Sequence, residues 1–125
     1  MRRALFAIAA LTLAGAQLHA QNAEIRMLVQ SSPLAGFQYY RGGQLWDEIK
    51  VGDLLMLARE PANQHDSNAV RVEWRGHKLG YVPRRENRAV AQHMDSGGNV
   101  EARVSRLRQH RDPWQRIEFE VFVKL

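Results

Sequence analysis

The chain has 125 residues, 45% of them hydrophobic and 25% charged, with no cysteine and a formal net charge of +5. This length and apolar content suit one small domain with its own core, and the lack of cysteine excludes a disulfide scaffold and any structural zinc held by thiolates. The positive excess is modest, so it permits contact with nucleic acid without arguing for it.

Arg2 and Arg3 open the chain, Ala4 to Ala16 is almost wholly apolar, and Ala14-Gly15-Ala16 and Leu18-His19-Ala20 end the stretch in small residues. A charged start, a short apolar middle and a small-residue exit are the layout of a secretory signal peptide. The apolar run is shorter than the ~20 residues of a spanning helix. Residues 1–20 are therefore expected to be a signal, leaving a domain over 21–125 that is exported to the periplasm or beyond, with no membrane span after removal. Losing two of the 18 basic residues leaves 16 against 13 acidic ones, a net charge of +3.

Glu24 to Gln30 alternates, with Ile25, Met27 and Val29 on one side, and predicts an edge-capable strand that Ser31-Ser32-Pro33 breaks. Gly36 to Tyr40 reads as an extended aromatic segment closed by Gly42-Gly43, and Asp53 to Glu60 as a strand covered on both faces. Val70, Val72 and Trp74 alternate, and Arg75-Gly76 turns the chain into His77 to Val82, a hairpin. Beyond Pro83 the period changes. Ala89, Val90, His93 and Met94 mark one face of a helix of about three turns over 84–94, stopped by Gly97-Gly98. Val100, Ala102 and Val104 alternate again, Asp112-Pro113-Trp114 is a turn, and Ile117, Phe119, Val121 and Val123 form the clearest strand. The fold class is mainly β with one or two short helices: a small OB-like or SH3-like β barrel.

Catalytic chemistry finds little support in the residues. There is no Gly-x-Ser-x-Gly elbow, no glycine-rich loop with a Lys-Ser pair, and only one carboxylate beside one histidine in the most polar segment, so no enzyme activity, metal or cofactor is expected. That segment, Arg59-Glu60-Pro61-Ala62-Asn63-Gln64-His65-Asp66-Ser67-Asn68-Ala69-Val70, carries more polar chemistry than a strand connection needs. Pro61 and Asn68 suit loop shaping, and Asp66 suits either a backbone bond or a ligand. Arg84, Arg85 and Arg88 add a cationic cluster.

The order Gly36-Phe37-Gln38-Tyr39-Tyr40, Gly52-Asp53, the twelve-residue polar segment and Gly80-Tyr81-Val82-Pro83-Arg84 resembles the HIRAN domain over about 36–97. The resemblance implies an OB-like β module that binds single-stranded DNA and captures its free 3′ end, as in the fork-remodelling ATPases that carry one. It implies that Asp66 accepts a bond from the terminal hydroxyl, that Asn63 neighbours it, that Tyr39 and Tyr40 stack on or wall the last bases, and that Arg84 meets a phosphate. Tyr81 stands where some members have histidine, and Gln38 where some have a cation. The expected function is thus a non-catalytic single-stranded nucleic-acid-binding module using Tyr39, Tyr40, Asn63, Asp66, Tyr81 and Arg84. The other reading is an exported domain that keeps this scaffold and binds a protein, peptide or envelope polymer.

Overall fold

The computed structural model describes residues 24–125, so the expected signal segment lies outside the described residues. Six antiparallel strands form one sheet: β1 (Arg26–Pro33), β2 (Leu54–Arg59), β3 (Val70–Trp74), β4 (His77–Tyr81), β5 (Val100–Leu107) and β6 (Ile117–Lys124). Their order is β1-β6-β5-β2-β3-β4, so β1 is an edge strand, and Met27, Leu28 and Val29 along it are all exposed in spite of the alternation. Two short helices complete the fold, α1 (Gly42–Leu45) and α2 (Arg88–Asp95). The class is the mainly-β, OB-like one that the sequence predicts. No described helix is long and apolar enough to cross a membrane.

The two sheet edges meet at one end without closing along their length. Just past β1, Ala35 exchanges both backbone hydrogen bonds with Tyr81, at 3.0 and 2.9 Å. Gly80 makes that approach possible, because a Cβ there would collide with the Ala35 carbonyl oxygen. Gly80 therefore permits the closure, and the paired backbone fixes Tyr81 where it occurs.

Alternate residues of β3 and β6 fill the interior, with Val70, Val72, Trp74, Ile117, Phe119 and Val121 all buried. Leu34, Phe37 and Ile49 cap one end of this core, and Val90 and Ala91 of α2 pack against it. The buried indole of Trp74 donates to Asp53 Oδ2 at 2.9 Å, and the Lys50 N–H donates to the same oxygen at 2.8 Å. Asp53 is consequently held below the usual carboxylate range, first by the Lys50 amide and against its own desolvation. The Gly52-Asp53 pair thus serves a core tryptophan.

Four expectations about local structure are corrected. β1 continues through Ser31-Ser32-Pro33, with a bulge at Val29, because an edge strand tolerates the missing proline N–H. β2 is covered on one face only: Leu55 is buried while Leu54 and Met56 are exposed, since the single sheet has no second layer outside it. The helix starts at Arg88, four residues later than the period suggests, because Arg84–Glu86 is a separate 3-10 turn. Its buried residues are Val90 and Ala91, with Ala89 exposed.

The fourth correction concerns Gly36 to Tyr40, which is a 3-10 turn over Phe37–Tyr39 and not extended. Gly36 has φ 77°, a left-handed conformation that turns the chain, and its carbonyl accepts from the Tyr39 N–H at 3.0 Å. Phe37 is then driven inward against Trp46, with ring centroids 6.0 Å apart and nearly perpendicular. The turn rotates Tyr39 outward and Tyr40 toward the sheet end.

Candidate functional site

At the end of the sheet closed by Ala35 and Tyr81 lies a hollow of about 320 Å³, lined by Tyr40, Asn63, Asp66, Tyr81 and Arg84 together with Ala35, His65, Ala69, Val82 and Trp114. Five of the six residues singled out from the sequence converge there. Tyr39 is 76% exposed and lies outside the hollow. His65 and Trp114 line it too, although sequence reasoning reads His65 as a solvated loop residue and Trp114 as part of a turn. His65 sat in plain view among the loop's polar residues, but Trp114 arrives from a turn some thirty positions after Arg84 and carries no local signal.

The segment between β2 and β3 takes its shape from its own side chains. Asn63 Oδ1 accepts from the N–H groups of His65 and Asp66 at 2.9 and 3.2 Å. Asp66 Oδ1 accepts from the Asn68 N–H at 2.9 Å, and Asp66 Oδ2 accepts from Asn87 Nδ2 at 2.7 Å. Asn87 is buried at the start of α2, so this bond ties the loop to the helix. Arg59 secures the loop from below by donating to the carbonyls of Ala69 and Ser67 at 2.7 and 3.0 Å and pairing with Asp95 at 2.9 Å. Much of the loop's polarity therefore satisfies its own backbone. Asp66 still retains acceptor capacity, because an ionised carboxylate has about four lone-pair sites and two are used.

Under the hollow runs a second network. Glu60 Oε1 accepts from Asn63 Nδ2 at 3.0 Å and from the Tyr81 hydroxyl at 2.9 Å, while Glu60 Oε2 accepts from Arg71 at 2.9 Å. Desolvation opposes the charge on Glu60, but these three donors outweigh it and hold the carboxyl below its usual range. Lys78 Nζ donates to the Tyr81 oxygen at 2.7 Å and lies 4.3 Å from the centre of the Tyr40 ring. Burial disfavours the Lys78 charge, yet its contacts with Tyr81 and Tyr40 raise its pKa. Burial also raises Tyr81, as does its bond to Glu60. The single proton of the Tyr81 hydroxyl is spent on Glu60, so Tyr81 offers the hollow a fixed ring face and no donor. Tyr40 and Tyr81 meet edge to face, 6.0 Å apart at 65°.

Cations dominate the rim. Arg84, Arg85 and Arg88 are exposed and form no ion pair or side-chain hydrogen bond among the described residues. Trp114, 46% exposed, lines the same hollow. Among the described residues, no group of three or more His, Asp or Glu side chains is placed to hold a metal. Aromatic faces, amide and carboxylate acceptors and free guanidinium groups around a preformed hollow define a binding module on a small β scaffold.

The HIRAN domain family model matches residues 27–125, nearly all of the described chain, and the protein belongs to that family. It is similar to the crystal structure of a structural-genomics protein from Lactobacillus plantarum, with a TM-score of 0.71 and 28% identity over 82% of this chain and 98% of the other. The crystal structure of the HIRAN domain of human HLTF is similar in fold, with a TM-score of 0.57 and 21% identity over 79% of this chain and 77% of that one. No curated protein matches the sequence.

Proposed function

We propose that the hollow receives the 3′ end of a single-stranded nucleic acid, without catalysis. The observation that carries this reading is the convergence of Tyr40, Asn63, Asp66, Tyr81 and Arg84 on one hollow, joined by an exposed Trp114. Its volume of about 320 Å³ falls within the ~300–1,000 Å³ of small-molecule sites, enough for a terminal nucleotide but not for a folded partner. Ring faces of Tyr40, Tyr81 and Trp114 would hold bases without reading sequence, each stack worth ~1–3 kcal/mol. The unpaired Arg84 would meet a phosphate. Asp66, already anchored by Asn87 and the Asn68 amide, keeps lone pairs for a terminal hydroxyl and repels a terminal phosphate.

The test is fluorescence anisotropy with short single strands bearing a free or a phosphorylated 3′ end, across a salt series. Measurable affinity that falls with salt, and is weaker for the phosphorylated end, supports the reading. Arg84→Ala should weaken both strands, whereas Asp66→Asn should narrow the difference between them. Absence of binding at low salt would favour a protein, peptide or envelope polymer as the partner. Export is the accompanying proposal, supported by the layout of the first twenty residues. A mature N-terminus at Gln17 or Gln21 by mass spectrometry supports it, and an intact Met1 on cytoplasmic protein overturns it.

A further inference from the structure

Arg84 lines three adjoining hollows, so a strand whose end fills the first has two ways out. One passes Pro33, Pro83, Arg85, Glu86 and Trp114 in a space of about 820 Å³. The other is a groove of about 530 Å³ between the polar loop and the start of α2, bounded by Asn63 to Asn68 on one side and by Arg85, Asn87 and Arg88 on the other. The two exits differ in charge. The first sets the carboxylate of Glu86 against Arg84 and Arg85. The second has three arginines and one carboxylate, Asp66, whose two oxygens already accept hydrogen bonds from Asn87 and the Asn68 amide.

We infer that the groove of Arg84, Arg85 and Arg88 is a phosphate track that carries the strand's upstream backbone away from the end-binding hollow and along the start of α2. The inference rests on the reading of the hollow as a 3′-end site. Its own observation is that these three exposed arginines line one groove without an ion pair among the described residues. The remaining arginines near the loop are committed elsewhere, Arg59 to Asp95 and Arg71 to Glu60 and Glu73. Three unneutralised cations in one concave surface raise the local potential and concentrate a polyanion there. Each phosphate they neutralise releases condensed counterions, which ties the contact to salt in a measurable way. The groove walls are polar on the loop side, so they would accept backbone and sugar contacts and give no base selectivity.

The experiment compares strands of two and of six nucleotides with free 3′ ends, bound by the full chain and by Arg85→Ala/Arg88→Ala. Arg106→Ala/Arg111→Ala, at exposed positions outside these hollows, serves as the control. The parent should bind the six-nucleotide strand more tightly than the dinucleotide. The groove variant should lose that length advantage, about tenfold at low salt, with a salt slope shallower by about 1.4, that is ~0.7 per phosphate contact. Dinucleotide affinity should stay within about twofold of the parent, because the end-binding hollow is intact. The control should behave like the parent. A parent with no length advantage, or a groove variant that keeps it, overturns the phosphate track while leaving the end-binding reading standing. A parent that binds neither strand overturns the end-binding reading and the track with it.

Discussion

Two hollows lie at opposite ends of the sheet, and they differ more in what lines them than in volume. The one between β1, β6 and α2 measures about 420 Å³ and is walled by Met27, Val29, Val90, Val100, Val121 and Val123. Its sole buried polar atom without a partner, among the described residues, is His93 Nε2, packed against Gly98. The hollow at the Ala35–Tyr81 closure is smaller, at about 320 Å³, yet Asn63, Asp66 and Tyr81 in its wall are each held by a named bond. Size does not confer recognition. The smaller hollow is preorganised, because Glu60, Asn87, Lys78 and Arg59 hold its loop and rings in place, and that ordering precedes any ligand. The larger hollow offers apolar contact without direction, at an edge strand where apolar exposure is also greatest.

Removing what both regions share should have the largest effect. Phe119 is fully buried in β6, and Phe119→Ala should cost about 3–5 kcal/mol in urea unfolding. A variant that melts like the parent would show that β6 does not support both ends.

Gly80→Ala separates the two ends. The added Cβ meets the Ala35 carbonyl oxygen, so the sheet must open at the closure. A loss of about 1–3 kcal/mol is expected from overpacking, together with loss of strand binding. NMR shifts should move at Ala35, Tyr40 and Tyr81 while the methyls of Met27 and Val29 stay put. Shifts at both ends alike would erase the distinction.

Tyr81→Phe tests the network more gently. It takes a partner from Lys78 and from Glu60 while leaving the ring, for a cost of about 1–2 kcal/mol. The network also predicts a pH dependence. Glu60 of this network, and separately Glu101 of β5, which pairs with Arg103 and Arg26, both titrate below the ordinary 4.5 in the fold. Their contribution is fully present above pH 4.5 and is lost as pH falls through the lowered folded values. Urea midpoints should therefore drop on the acid side, and Glu60→Gln should flatten part of that slope without abolishing it. An unchanged acid slope in Glu60→Gln would mean that the bonds beneath the hollow do not favour the charged form.

The smallest effect belongs to the apolar end. Met27 is about half exposed, and Met27→Ser should shift stability by no more than about 0.5 kcal/mol and leave strand affinity unchanged. A clear loss of affinity would mean that the apolar end takes part in binding, contrary to the comparison.

The sequence by itself determined the strands, the hairpin and the membership in a family, because these rest on short-range signals. Alternation reports a half-buried strand, Arg75-Gly76 reports a turn, and the ordered run from Arg59 to Val70 reports a loop that recurs as a unit. It also placed Tyr40, Asn63, Asp66, Tyr81 and Arg84 together, through resemblance and not through spacing. Tertiary structure alone decided what each of them faces. Strand alternation would set Tyr39 outward and Tyr40 inward, and the fold reaches that facing by another route: a left-handed Gly36 and a 3-10 turn send Tyr39 outward and Tyr40 to Lys78 and Tyr81. Asp66 suits either a backbone bond or a ligand in sequence, and the fold gives one of its oxygens to the Asn68 amide and the other to Asn87, twenty-one residues later. Trp114 looks like a turn residue until the β5–β6 connection brings it to the hollow that Arg84 also lines. Pairwise contacts between residues far apart in the chain depend on where the sheet curls. Its closure includes one close approach, Gly80 against Ala35, which no local pattern of residues encodes.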